Sequence, residues 1–78
     1  MKKTIGKVEY NTDTATFITK YVEGVFGDPK GFEECLFQTA GGNFFLYTNG
    51  GDESAYAGEK ITRLSAARAD EWRAKRNV

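Results

Sequence analysis

Two pairs of adjacent carboxylates, Glu33-Glu34 and Asp52-Glu53, are the side chains best suited by type to do chemistry in this chain. General acid/base work needs two such groups converging on one point. Neighbours on an extended strand point to opposite faces, so Glu33 and Glu34 form no paired site by themselves. Asp52-Glu53 follow Gly50-Gly51 in a flexible, glycine-rich stretch that holds geometry loosely, and solvated charge is the simpler reading. A divalent cation held by Asp52, Glu53 and a backbone carbonyl lacks calcium-loop spacing. There is no histidine, which removes Ser-His, Cys-His and His-metal sites. Cys35, the one cysteine, sits in a strand-like run without a basic neighbour and reads as a small core residue. It forms no internal disulfide, which fits the reducing cytoplasm. Gly27-Asp28-Pro29-Lys30-Gly31 has neither Walker spacing nor a preceding parallel strand, so it reads as a turn and not a phosphate cradle. No catalytic set, cofactor or metal is expected.

Binding chemistry has more to offer. Gly42-Asn43-Phe44-Phe45-Leu46-Tyr47 faintly echoes the aromatic strand of RNA-recognition modules, but no basic residue precedes the glycine and acids dominate the neighbourhood. The formal charge is zero overall, yet it is sorted along the chain. Residues 1–20 carry a net +2. Residues 21–59 carry −6 from Glu23, Asp28, Glu33, Glu34, Asp52, Glu53 and Glu59 against Lys30, and residues 60–78 carry +4. Such sorting either steers a charged partner or pairs acids with bases across the fold. Arg68, Arg73, Lys75 and Arg76 would grip nucleic acid if they acted together, but Asp70 and Glu71 dilute them. Direct nucleic-acid binding is the lesser expectation.

The elements that position these residues belong to one domain, residues 1–78, near the size where burial alone gives thin stability. Six Phe, four Tyr and Trp72 supply large buried area per residue. The basic start is followed by no apolar run of about 7–15 residues, so no secretory signal is expected. No stretch approaches the roughly 20 apolar residues of a membrane span. Residues 4–10 read as an edge strand. Residues 13–22 are ambiguous: Ala15, Ile18 and Val22 fall at helical spacing, while β-branched residues and Phe17-Thr19-Tyr21 favour strand, and the balance tips to strand. Residues 59–64 read as a short strand. Ser65 then caps a helix over 66–76, with Leu64 and Ala69 as a hydrophobic staple and Leu64, Ala69 and Trp72 against the sheet.

The central run from Glu33 to Thr48 reads as a hairpin with apolar side chains on both faces. With Gly41-Gly42 as a two-residue type I′ turn, Phe37 pairs with Leu46 and Leu36 with Tyr47. That register puts Phe44, Phe37, Leu46 and Cys35 on a core face, and Phe45, Leu36 and Tyr47 on a face free for a partner. A sheet with two apolar faces must be covered twice. Either a partner meets one face or the chain supplies both covers. The expected fold is α+β: an antiparallel sheet of four to five strands with a C-terminal α-helix packed on one face.

Tyr10-Asn11-Thr12-Asp13-Thr14-Ala15, Glu33 through Thr39, Gly42 through Tyr47, Gly50-Gly51, Tyr56-Ala57, Gly58-Glu59-Lys60-Ile61, Leu64-Ser65 and Glu71-Trp72 follow one another in a recognisable order. Together they resemble a family of small, mostly uncharacterised proteins encoded by bacterial plasmids, integrative elements and phages. The chain departs from that pattern in a shortened stretch between Tyr56 and Gly58, and in Arg63 where relatives often carry proline. Proteins of that setting and size are similar in kind to anti-CRISPR proteins. The resemblance implies a non-enzymatic inhibitor that binds a Cascade-like CRISPR effector and blocks target DNA. The candidate contact residues are Glu23, Asp28, Glu33, Glu34, Tyr47, Asp52, Glu53 and Glu59, whose acids would take the place of a phosphate backbone. The rival expectation is a structural or regulatory adaptor of a mobile element, joined as a homodimer through Phe45, Leu36 and Tyr47.

Overall fold

The computed structural model describes residues 2–24, 29–54 and 58–77. In chain order its elements are β1 (Lys2–Ile5), β2 (Val8–Asn11), β3 (Thr16–Glu23), β4 (Phe32–Gln38), β5 (Phe44–Gly50), β6 (Lys60–Leu64) and α1 (Ala66–Arg76). Strands β3 to β6 form one antiparallel sheet in sequence order, and β1 with β2 form a separate two-stranded sheet. The α+β expectation is met. The single edge strand expected over residues 4–10 is instead a hairpin, broken at Gly6-Lys7. That break is why Ile5, Val8 and Tyr10 are unevenly spaced in sequence.

The β4–β5 hairpin is displaced by one residue from the two-residue-turn expectation. Phe37 faces Phe45, Leu36 faces Leu46 and Cys35 faces Tyr47. The loop has three residues, Ala40-Gly41-Gly42, closed by Thr39 N–H donating to the Asn43 carbonyl at 2.8 Å. Gly42 N–H donates to the Thr39 carbonyl at 2.9 Å, and Gly42 takes φ +88°, the left-handed residue that ends a three-residue hairpin loop. The Thr39 hydroxyl accepts from Asn43 N–H at 3.1 Å and adds to this geometry.

Since side chains alternate along a strand, that one-residue shift reassigns both faces. Leu36, Leu46 and Phe44 now share the helix side with Ile18, Leu64, Ala69 and Trp72. Phe45 and Phe37 share the opposite side with Tyr10, Ile61, Ile5, Val8, Ala15 and Tyr47. The chain therefore covers its sheet twice unaided. The helix lies on one face and the N-terminal hairpin on the other. Phe45 and Leu36, expected together on a free partner face, lie on opposite sides and are both buried.

Residues 13–22 resolve as a turn followed by a strand. Asn11 Oδ1 accepts from Asp13 N–H at 2.9 Å, and its carbonyl accepts from Ala15 N–H at 2.9 Å. This local Asx-type contact makes the stretch a turn and not the start of a helix. In β3 the register slips between Phe17 and Thr19, a β-bulge. The bulge puts Phe17 on the hairpin side, against Phe37, while Thr19 and Tyr21 stay on the helix side. The helix starts as expected: Ser65 Oγ accepts from Arg68 N–H at 3.2 Å. It ends at Asn77 in the left-handed region, whose N–H bonds the Arg73 carbonyl. No helix among the described residues is long and apolar enough to cross a membrane.

Candidate functional site

Strand β3 ends, β4 begins, β5 ends and β6 begins at the same end of the sheet, with Glu23 aligned on Phe32 and Phe32 on Gly50. The loops that follow β3 and β5 therefore meet there. Their meeting is tight. Gly51 N–H donates to the Gly31 carbonyl at 3.0 Å, and Glu53 N–H donates to the Pro29 carbonyl at 2.8 Å. A Cβ on Gly51 would come within 2.5 Å of the Pro29 carbonyl oxygen, so glycine is what allows the approach. Ser54 closes the turn with its hydroxyl donating to the Gly51 carbonyl at 2.7 Å. The loose glycine loop expected around Asp52-Glu53 is instead stitched to its neighbour by backbone bonds.

This arrangement gathers Glu23, Glu33, Asp52, Glu53 and Glu59 at one end of the molecule. Glu23 lies on the helix side, where it accepts from the Tyr21 hydroxyl at 3.3 Å. Glu59 lies just before β6 and accepts from the Tyr47 hydroxyl at 2.9 Å, on the side of the N-terminal hairpin. Glu33 points to that same side, two strand positions from Cys35. Asp52 and Glu53 are exposed in the loop that follows β5. The acids wrap an end of the sheet and do not tile a flat face.

Glu34 is not among them. It is 2% exposed, and its carboxylate lies 2.8 Å from Arg76 Nε. Arg76 also holds its guanidinium carbon 4.3 Å from the centre of the Tyr21 ring, a cation–π distance. Glu34 thus docks the last helical turn on the sheet and is withdrawn from any contact surface. Asp28 lies outside the described residues, as do Gly27 of the expected turn and Tyr56-Ala57. Of the helical cations, Arg76 is turned inward, which leaves Arg68, Arg73 and Lys75 exposed. The adaptor surface of Phe45, Leu36 and Tyr47 does not exist as one face. Sequence reasoning missed the Glu34–Arg76–Tyr21 clamp because only the register decides which of two adjacent glutamates is buried.

Burial pushes the Tyr47 phenol up to about 12, and the hydrogen bond to Glu59 and the charges of Glu59 and Glu33 add to this. An unfolded tyrosine ionises near 10. Between those values the unfolded state holds fewer protons than the folded one, so stability falls as pH rises from about 10 to about 12 and is insensitive to this group below. Urea melts of the native chain and Tyr47→Phe across that range are expected to show a shallower alkaline decline for the variant. Burial also pushes the Cys35 thiol up, Glu33 adds to the rise and Lys20 opposes it, which keeps the sulfur protonated and unreactive. Among the described residues, no group of three or more Cys, Asp and Glu side chains is placed to hold a metal ion. Comparison with protein-family models, curated proteins and solved structures found no match for the chain.

Proposed function

We propose that this chain is a non-enzymatic inhibitor of anti-CRISPR type that works in the cytoplasm of a bacterial host cell. It binds a Cascade-like CRISPR effector through its acidic end and keeps target DNA from a basic groove. The observation that carries this reading is the convergence of Glu23, Glu33, Asp52, Glu53 and Glu59 on one end of the sheet. The bonded loops hold Asp52 and Glu53 in place before binding, which lowers the entropy cost of presenting them. Grooves built for DNA bind phosphates largely by electrostatics and lose affinity steeply with salt. Carboxylates that occupy such a groove inherit that dependence. The mechanism needs no cofactor and no reacting group.

Asp52→Lys, Glu53→Lys and Glu59→Lys combined alter only exposed side chains. They are expected to weaken binding to a purified Cascade-like effector by about ten- to a hundredfold and to flatten its salt dependence. Fluorescence anisotropy or calorimetry at several salt concentrations reads both effects. Affinity that is unchanged by the three reversals and insensitive to salt would refute the proposal.

A further inference from the structure

The outer edge of β3 runs from Thr16 to Glu23 and meets the acidic end only at its last residues. It is an eight-residue strand at the margin of the four-stranded sheet, and among the described residues no backbone hydrogen bond reaches its outer side. Strands this long with an open edge are templates for pairing. The two large hydrophobic side chains exposed among the described residues, Phe17 at 53% and Val22 at 52%, both belong to it. Phe17 is aligned on Phe37, Lys20 on Cys35 and Val22 on Glu33, so the three occupy successive positions of one row. The bulge between Phe17 and Thr19 makes this row. Without it Phe17 would point to the helix side. Lys20 is exposed between the two apolar groups and forms no ion pair among the described residues.

We propose that this edge docks an extended segment of a partner protein in which one acidic residue is flanked, at alternate positions, by apolar ones. A strand added to β3 would set its side chains about 5 Å from the Phe17, Lys20 and Val22 row, with apolar groups over the outer two and a carboxylate across from the ammonium. Charge decides against a second copy of this chain. Full antiparallel self-pairing would set Phe17 against Val22 favourably, but it would place Lys20 directly opposite the Lys20 of its copy. Like charges opposite one another destabilise a strand pair, and an edge lysine is a common device against self-association. The edge therefore excludes itself and selects an acid.

The test uses the full chain, isotope-labelled, titrated with an end-capped peptide Thr-Val-Thr-Asp-Thr-Val-Thr at up to about 1 mM, within reach of weak binding. A control peptide carries lysine at the centre. Amide shifts confined to residues 16–23 and a preference of about three- to fivefold for the aspartate peptide are expected. Lys20→Glu is expected to reverse the preference, and Phe17→Ala with Val22→Thr to abolish binding of both peptides. Because Asp52 and Glu53 belong to the loop after β5 and not to this edge, Asp52→Lys with Glu53→Lys is expected to leave peptide binding unchanged. The proposal is overturned if neither peptide shifts the β3 amides, or if the two bind equally in the native chain. It also fails if sedimentation shows a dimer that Lys20→Glu or Phe17→Ala disperses, which would make the occupant a second copy.

Discussion

Arg76→Ala is expected to lose about 3–5 kcal/mol of stability, the range found when one partner of a buried ion pair is removed. The reason lies in what stays behind. Glu34 is 2% exposed on the inner strand β4, and Arg76 is the cation on its carboxylate. Without Arg76 that carboxylate must be buried without its charge partner or the last turn of α1 must lift away to admit water. A chain of this length holds roughly 4–12 kcal/mol in total, so the loss is a large share. The Tyr21 ring beneath the guanidinium, and the Phe32 ring at 5.8 Å, contribute a planar stacking surface that an ammonium does not match. Arg76→Lys is therefore expected to fall between the native chain and Arg76→Ala.

The double replacement Glu34→Leu with Arg76→Leu separates the pair's net contribution from the penalty for breaking it. Burying two charges is costly, and a well-packed apolar pair often equals them. The double variant is expected to recover most of the loss of Arg76→Ala. Urea melts followed by the fluorescence of Trp72, the only tryptophan, read all four proteins. An Arg76→Ala variant within about 0.5 kcal/mol of native would mean that water reaches the pair and that the helix end is not clamped.

The parts of this fold legible in the sequence are those set by local chemistry. Ser65 before a helical run, and cations in the last turn, mark α1 without reference to anything distant. The β-branched residues of 16–22 mark a strand. Register is different. Ala40-Gly41-Gly42-Asn43 satisfies a two-residue turn and a three-residue turn almost equally, since both need a left-handed glycine. The difference decides whether Phe37 or Leu36 shares the helix side with Phe44 and Leu46. The bulge at Phe17 has no sequence signal of its own, so the exposed row on β3 was not foreseeable. Charge sorting marked the acidic stretch but not its arrangement, because the strand order decides that the loops after β3 and β5 meet at one end of the sheet. It failed at Glu34, where burial follows from the register and the neutralising arginine lies 42 positions along the chain.

Phe45→Ala is expected to cost about 3–5 kcal/mol, as for buried phenylalanines elsewhere, and to leave the chain barely folded at room temperature. Phe45 has no exposed surface. Its ring stacks on Phe37 at 5.2 Å and 8°, and meets the edge of Tyr10 at 5.5 Å and 72°. The second contact carries particular weight. The β1–β2 hairpin forms its own sheet and shares no ladder with the other four strands, so side chains such as Tyr10, Ile5 and Val8 must hold it in place. Truncating Phe45 removes the surface that they grip and opens a cavity at the junction. The milder Phe45→Leu keeps the chain folded and gives the informative measurement. Amide exchange in residues 2–11 is expected to quicken well before exchange in α1, because the hairpin becomes a separately opening unit. By contrast, Phe17→Ala, at 53% exposure, is expected to change stability by less than about 1 kcal/mol. If Phe45→Leu quickened exchange uniformly, hairpin and helix would unfold as one unit. If Phe45→Ala melted like the native chain, the hairpin would not be docked, and the second face of the sheet would again be free for a partner.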